Sequence, residues 1–329
     1  MTVPMNARQQ ARDRLFPRQN DVRRLVLLHT LVSCGFLLLV TCVDFLLSAQ
    51  IADLGGLSGL GSVSILETAQ TLLGYAAQLL LPFWELGILA AAIRIARKQD
   101  AETDTLFSAF RRFFPTFRMM LLRYLRYAIV LFLCVQLSAV VFAITPFSRG
   151  LEESIMPLMT EHNLQNPELL GQLIMENLNI WDLVPLFAIL LVSLGVLYVP
   201  LFYRFRMTDY LILDAAHPRA FATLHASQLL MRGNCLALFR LDLKFWWYYA
   251  LQFISTLLSY GYLLLPLVGI TLPIPEGVAV FVSLGLHCVF SLGLNYWARG
   301  YVETAYAVVY DALLQDSPLI PKKEVEEND

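Results

Sequence analysis

The sequence predicts an all-α protein, a polytopic membrane bundle of six transmembrane helices with additional cytoplasmic helices at the interface. Three observations lead to this prediction. The mean hydropathy of the 329 residues is +0.60, and 57% of them are hydrophobic. Only 15% are charged, whereas soluble domains carry roughly 25% charged residues. Apolar runs of about 20 residues, long enough to cross a bilayer as a helix, recur along the chain.

The basic residues indicate the orientation of these runs. Of the 24 lysines and arginines, all except Arg149 fall in four segments that flank the apolar runs. These segments are 1–25, 94–126, 204–244 and 299–329. Basic residues gather on the cytoplasmic side of membrane proteins. We therefore expect both termini in the cytoplasm and the protein in a bacterial cytoplasmic (inner) membrane. Asp13 and Asp21 disfavour the alternative of a mitochondrial presequence.

The predicted organisation follows the apolar runs in order. A basic cytoplasmic segment, 1–25, precedes a membrane domain, 26–314, and a polar cytoplasmic tail, 315–329, follows it. A Gly/Ser-rich loop joins the first two spans, and the long outer loop contains an amphipathic stretch, Pro167–Leu178. The predicted spans are 26–49, 66–93, 121–145, 183–203, 245–267 and 278–298.

The first cytoplasmic segment of interest is 104–118, in which phenylalanines recur at helical spacing beside Arg111 and Arg112. Asp104 or Thr105 is suited to cap the start of a helix there. Two interpretations remain open. The helix either lies in the interface with its phenylalanines among the acyl chains, or packs under the bundle.

The second cytoplasmic segment, 209–244, predicts two helices joined by a hinge. The first would run to Arg232 and stop at Gly233, because glycine adopts the left-handed conformation that ends many helices. Asn234 would then cap the next helix. Asp242 is predicted to fix this hinge against the fifth span as an ion-pair or cap partner. The predicted structural hinge consists of Met231, Arg232, Gly233, Asn234 and Asp242.

The same stretch resembles a known family. It reads Ser227-x-x-Leu230-Met231-Arg232-Gly233-Asn234, then Leu238-Phe239-x-Leu241-Asp242-Leu243-x-Phe245. This pattern is similar to that of a bacterial integral-membrane family, the domain of unknown function nine-seven-five (DUF975), over about residues 65–314. Cys235 departs from it, since a basic residue usually follows the asparagine. The resemblance implies a membrane domain and no known reaction.

Chemistry-bearing motifs are missing from the sequence. It contains no His-Glu-x-x-His, no Gly-x-Ser-x-Gly and no phosphate-binding lysine loop. The five cysteines and five histidines are not in metal-ligand spacing. We therefore expect no enzymatic activity, no cofactor, no metal and no disulfide. The expected partners are membrane lipids, anionic on the cytoplasmic face. Nucleic-acid binding is not expected, and protein partners remain unknown.

Polar residues inside the spans form the candidate intramembrane site, Glu85, Gln78 and His287. Glu85 lies roughly 12 Å from the inner end of the second span, on a polar face that also contains Gln78. This face suits either a solute or proton pathway, or contacts between helices in which Glu85 is paired with an arginine or protonated. His287 suits a hydrogen-bonded neutral ring or a proton relay. Arg299 and Glu303 are expected to form an intrahelical pair.

Two function classes follow. The first is a non-enzymatic scaffold, accessory subunit or lipid-associated membrane module. The alternative is a small-solute or proton-coupled transporter that uses the polar face of the second span. The sequence favours the first, because few charges are buried and no internal repeat is visible. A water-accessible cavity that reaches Glu85 would favour transport, and a closed apolar bundle would favour the first class.

Overall fold

A computed structural model describes residues 6–55, 60–150, 157, 180–267, 273 and 275–317. The regular secondary structure in these ranges is helical, which confirms the all-α prediction. Most of the long outer loop, including Pro167–Leu178, and nearly all of the predicted tail lie outside the described residues. In chain order the α-helices are α1 (Ala7–Leu15), α2 (Gln19–Gly55), α3 (Leu60–Ala96), α4 (Ser108–Arg111), α5 (Phe113–Ile144), α6 (Ile180–Ser193), α7 (Val199–Arg204), α8 (Thr208–Asp214), α9 (Ala220–Met231), α10 (Cys235–Lys244), α11 (Trp246–Ser259), α12 (Gly261–Leu267), α13 (Glu276–Leu294) and α14 (Gly300–Gln315).

Five helical stretches within the described residues are long and apolar enough to cross a membrane. They are Ala7–Ile51, Ile65–Ala96, Phe113–Ile144, Leu183–Asp214 and Gly277–Gln315. The remaining predicted span, 245–267, consists of α11 and α12, which are separated at Tyr260 and are each shorter than a bilayer crossing. A count of six spans therefore stays a prediction.

The chain divides into two compact units. The first combines the residues up to Phe117 with those from Met207 onward, and the second is Arg118–Arg206. In the second unit, the hydroxyls of Ser138 and Ser193 join α5 to α6 at 2.7 Å. A π-helical turn, Leu194–Tyr198, separates α6 from α7. Pro200 follows that turn, and a proline without an N–H group disturbs the helical hydrogen bonds one turn before it.

In the first unit, α2 packs along the C-terminal half of α3. Val22, Leu25 and Val26 from α2 are buried against Trp84 and Ile88 of α3. The Thr103–Phe107 3₁₀ turn joins this core through Leu106, which is fully buried. Glycine at position 87 allows the close approach, because a Cβ there would overlap the backbone carbonyl of Leu106.

The aromatic segment 104–118 is not one helix, which corrects the sequence prediction. It consists of the 3₁₀ turn, α4 and the start of α5, with a break at Arg112. The predicted cap is also wrong, because neither Asp104 nor Thr105 caps a helix start with its side chain. The break leaves the phenylalanines divided between two roles.

Phe110 and Phe113 pack on Phe83 of α3, with ring centroids 5.7 and 4.7 Å apart. Phe107 and Phe114 remain exposed. Packing against the bundle therefore accounts for the first two rings, and an interfacial position suits the exposed pair.

Candidate functional site

The site begins at a contact between α2 and α3, where His29 and Trp84 bind each other reciprocally. The indole Nε1 of Trp84 donates to the carbonyl oxygen of His29 at 3.1 Å. The His29 Nε2 lies 3.0 Å from the carbonyl oxygen of Trp84. The two rings are stacked, with centroids 5.1 Å apart and an interplanar angle of 8°. These contacts hold the neighbouring residue, Glu85, at a fixed position on α3.

Glu85 forms an ion pair with Arg299, which lies 214 residues later in the chain. The Arg299 side chain is only 10% exposed, whereas 46% of the Glu85 side chain is accessible. Arg299 ends a π-helical turn, Asn295–Arg299, between α13 and α14. Such turns often occur at functional sites. The guanidinium therefore forms the buried base of the site, and the carboxylate is its accessible part.

The contacts of His29 determine its tautomer. Nη1 of Arg299 faces Nδ1 of His29 at 3.5 Å, and an arginine only donates. The carbonyl oxygen of Trp84 only accepts, so Nε2 carries the hydrogen. A neutral ring with its hydrogen on Nε2 satisfies both neighbours. His29 is fully buried and was not identified from the sequence as a site residue.

A polar network joins α11 to the π-helical turn. The amide nitrogen of Gln252 donates to Oδ1 of Asn295 at 2.9 Å and to the hydroxyl of Tyr248 at 3.1 Å. The hydroxyl of Tyr248 donates in turn to Oδ1 of Asn295, at 3.3 Å. These three neutral side chains thus form a hydrogen-bond network between α11 and the π-helical turn.

The network continues between α11 and α13 through His287. Its Nδ1 lies 2.7 Å from the carbonyl oxygen of Ser255 and 3.1 Å from the Ser255 hydroxyl. That hydroxyl lies 2.7 Å from the hydroxyl of Ser291. Because a carbonyl oxygen only accepts, Nδ1 of His287 carries a hydrogen. His287 is thus placed as a hydrogen-bonded ring that links the two helices.

These groups surround a cavity of about 340 Å³ within the first unit. Its wall combines the ion pair, the α11–α13 network and the polar side of α2. Only two of the lining side chains are aliphatic. The lining residues are Thr30, Ser33, Cys34, Leu37, Leu81, Glu85, Tyr248, Gln252, His287, Ser291, Asn295, Arg299 and Glu303.

The cavity includes only part of the predicted site. Glu85 and His287 both line it, although they lie on different helices. Gln78 does not: its side chain is exposed and contacts no polar partner within the described ranges. Seven residues before Glu85, it lies two helical turns away from the paired carboxylate. Arg299, for which a pair with Glu303 was predicted, binds Glu85 across the bundle.

The hinge after α9 agrees with the prediction at Gly233 and differs from it at Asn234. Helix α9 ends at Met231, one residue before the predicted Arg232, and Gly233 has a φ of +82°, the predicted left-handed conformation. The side chain of Asn234 does not cap α10. Its Nδ2 instead donates to the carbonyl oxygen of Leu230 at 3.0 Å, which satisfies the end of the preceding helix. Arg232 is exposed at this hinge.

The family model for Protein of unknown function (DUF975) matches residues 1–317. The chain belongs to this family. The match covers both compact units and extends beyond the 65–314 range in which the sequence showed the resemblance. No curated protein and no solved structure matches the chain.

In this DUF975 chain, Asp242 connects the hinge region to the last helix. Its carboxylate accepts a hydrogen bond from the hydroxyl of Tyr306 on α14. That hydroxyl also lies 2.6 Å from the hydroxyl of Tyr249 on α11. Asp242 therefore ties α10 to α11 and α14 through tyrosines, a pairing that the flanking basic residues in the sequence did not suggest.

A second ionic cluster of the DUF975 chain lies just beyond the end of α3. The guanidinium of Arg97 binds both carboxylate oxygens of Asp214, at 2.5 and 2.7 Å. It also binds Asp311 at 2.9 Å. The hydroxyl of Tyr310 donates to Asp214 at 2.9 Å. The hydrogen bonds that Arg97 donates to Asp214, and then to Asp311, raise the pKa of Arg97 above its ordinary value. Within the described ranges of the DUF975 chain, no three His, Cys, Asp or Glu side chains are arranged to hold a metal ion.

Proposed function

We propose that the protein is a non-enzymatic, multi-pass membrane protein that binds a small polar solute in the cavity beside Glu85, as a transporter or permease does. The observation that supports this most is the cavity of about 340 Å³ with its polar wall. It has room for on the order of ten water molecules at roughly 30 Å³ each. Ligand pockets begin at roughly 300 Å³. Because of this cavity we propose transport, although the sequence favoured a scaffold.

The charges in the cavity favour a zwitterionic solute such as an amino acid. Its carboxylate would bind the guanidinium of Arg299, and its ammonium group would bind Glu85. One internal ion pair would then be replaced by two pairs with the ligand, so neither charge would lose its partner. Glu303, a second carboxylate in the wall, would strengthen the preference for a group with a positive end.

The test is uptake into proteoliposomes that contain the purified full-length protein, with a radiolabelled mixture of the twenty protein amino acids as probe. Ser33→Phe fills the cavity from α2 without touching the ion pair. Leu39→Phe is the matched control, because Leu39 lies on the same helix, is exposed and does not line the cavity. We expect uptake by the parent and by Leu39→Phe, and loss of uptake in Ser33→Phe. Equal uptake by both variants would refute the cavity as the pathway.

A lipid-associated scaffold is the second candidate, and a specific observation favours it. Glu85 is already paired with Arg299, and His29 with Trp84, so the site needs no ligand to satisfy its charges. The same assay separates the two candidates. Absence of amino-acid uptake by the parent protein would argue against the zwitterion pathway and in favour of the scaffold.

The proposed localisation is a bacterial cytoplasmic membrane, with both termini, the 94–126 segment and the 204–244 segment on the cytoplasmic face. Membrane lipids, anionic on that face, are the proposed partners. The distribution of basic residues supports this orientation. In a variant without the native cysteines, Glu102→Cys should resist a membrane-impermeant thiol reagent added to intact cells, and Arg149→Cys should react. Both positions are exposed, so the opposite labelling pattern would reverse the topology.

A further inference from the structure

A second pocket, of about 280 Å³, lies at the C-terminal end of α3 within the first unit. It shares no residue with the cavity beside Glu85. The end of α3, the Thr103–Phe107 turn, α4 and the end of α8 form its wall. Asp214 is the carboxylate in this wall, and four guanidinium groups oppose it. They belong to Arg94, Arg97, Arg111 and Arg112.

Two of these arginines build the wall. Arg97 binds Asp214, as described above. Nη1 of Arg112 donates to the carbonyl oxygens of Leu213 at 3.1 Å and of Ala215 at 2.5 Å. These oxygens belong to the C-terminal end of α8, where a cation is favourable because helix ends leave carbonyl groups without partners. The positions of both guanidinium groups are therefore fixed before any ligand arrives.

The other two arginines are available to a ligand. Arg94 is exposed and makes no hydrogen bond or ion pair with any residue that the structure describes. Arg111 pairs with Asp104, and 62% of each side chain is exposed. A surface pair of this kind exchanges readily for a stronger anion. Arginine suits such an anion because its planar donors match the oxygens of a phosphate group.

Two hydroxyl groups in the pocket wall lack partners. The Oγ1 of Thr105 and the Oγ of Ser108 are buried and make no hydrogen bond with the described part of the chain. Both residues line the pocket. Buried hydroxyls without partners are unfavourable, and a rotation about χ1 would let either one donate to a ligand oxygen in the pocket. Phosphate groups supply acceptor oxygens of this kind.

We propose that this pocket binds a phosphate group, carried either by the headgroup of an anionic lipid or by a soluble phosphate. Basic pockets on the cytoplasmic side of membrane proteins recognise lipid phosphates in this way. The rings of Phe107 and Phe114, exposed in the same segment, suit contact with lipid acyl chains at the interface. The inference is independent of the solute cavity, because the two sites share no side chain.

The test uses purified full-length protein in a neutral detergent, in two arms. In the first, equimolar phosphatidic acid and phosphatidylcholine are added, and the retained lipid is measured by native mass spectrometry. In the second, millimolar inorganic phosphate is added, and the shift in Tm is measured. Arg94→Gln/Arg111→Gln removes the two available cations. Arg240→Gln is the matched control, because Arg240 is exposed and lies outside the pocket.

We expect the parent and Arg240→Gln to retain phosphatidic acid equally, within about twofold. The double variant should retain about tenfold less, because it loses charge-assisted hydrogen bonds. If inorganic phosphate raises the Tm of the parent but not of the double variant, the pocket also accepts soluble phosphate. A response confined to phosphatidic acid identifies the lipid as the source. If the double variant does not fold, Ser108→Ala, which removes one hydroxyl, should show a smaller loss in the same assays.

Two results would overturn the proposal. One is a parent protein that shows no preference for phosphatidic acid over phosphatidylcholine and no response to inorganic phosphate. The other is an equal loss in Arg240→Gln and in the pocket variants, which would mean general attraction to the basic surface and not a site.

Discussion

Two ion pairs, Glu85–Arg299 and Arg97–Asp311, connect the region of α3 with the region of α14. They differ in the exposure of their side chains. Twelve residues separate Glu85 from Arg97 and, likewise, Arg299 from Asp311, which is about 18 Å along a helix. The positions of the charges are reversed. In Glu85–Arg299, called the deep pair below, the carboxylate is on α3; in Arg97–Asp311 it is on α14. An alignment that brought Arg97 beside Arg299 would place like charges together. The two pairs therefore select one parallel register of α3 and α14.

The pairs differ in which partner is buried. In the deep pair Arg299 is 10% and Glu85 46% exposed, whereas in the other pair Arg97 is 32% and Asp311 14% exposed. Removal of Glu85 would strand a buried cation, whereas water can replace the partners of Arg97 in part. The deep pair is thus the one on which folding depends most, and four predictions test that distinction.

The largest effect is expected for Glu85→Gln. The substitution keeps the shape of the side chain but leaves Arg299 without its counter-charge, so we expect a loss of about 3–5 kcal/mol in the free energy of unfolding. Denaturant unfolding of the purified protein in detergent measures it. Glu67→Gln, at an exposed position on the same helix, should change the stability by less than about 0.5 kcal/mol. A Glu85→Gln protein as stable as this control would contradict the prediction that buried Arg299 depends on Glu85 as its counter-charge.

The next largest effect is the coupling in the double variant Glu85→Gln/Arg299→Gln. Removal of both charges leaves no unpaired ion, so the double variant should be more stable than the sum of the two single changes predicts, by about 1–3 kcal/mol. A double-mutant cycle on the unfolding free energies gives this value. Strict additivity would mean that the two side chains act independently.

A smaller effect is expected for Arg97→Gln. Its guanidinium is one-third exposed, and Asp214 keeps the hydrogen bond from the hydroxyl of Tyr310 after the change. We expect a loss of about 1 kcal/mol, measured by the same unfolding experiment, with Arg240→Gln as the charge-matched control. A loss as large as that of Glu85→Gln would remove the contrast between the two pairs.

The smallest effect on stability is expected from a change in salt concentration, which should act differently on the two pairs. An increase from 0.1 M to 1 M sodium chloride shortens the screening length from about 10 Å to about 3 Å. The stability difference between the parent and Arg97→Gln should then shrink by a few tenths of a kcal/mol. The difference between the parent and Glu85→Gln should change less, because the Arg299 side chain is only 10% exposed. An equal decrease in both differences would show that the deep pair is reached by solvent ions.

The sequence predicts the parts of this fold that depend on local pattern. Apolar run length identifies the long helices, and the depth of Glu85 in its span is enough to require a partner or a proton. The identity of that partner is not local information. Arg299 lies 214 residues away, and within its own helix Glu303 is the nearest acid, so reasoning from helical spacing led to a different pair.

Other differences have the same origin. Asn234 precedes a helix, and its Oδ1 could accept from that helix's first N–H groups, but the side chain is oriented so that its Nδ2 donates to the carbonyl oxygen of Leu230 in the previous helix. The division at Tyr260 between α11 and α12 has no proline or glycine before it in the sequence, although Gly261 follows. Hydropathy alone merges the two helices into one span.

The π-helical turn at Asn295–Arg299 carries a consequence for the evolution of chain length. A π turn holds one residue more than an α turn over the same stretch of hydrogen bonding, and one residue corresponds to about 100° of rotation. Asn295 at its start meets α11, and Arg299 at its end meets α3. Loss of a single codon here would rotate one of these faces away from its neighbour while leaving every remaining side chain intact. Insertions and deletions should therefore be tolerated less in these five positions than most replacements.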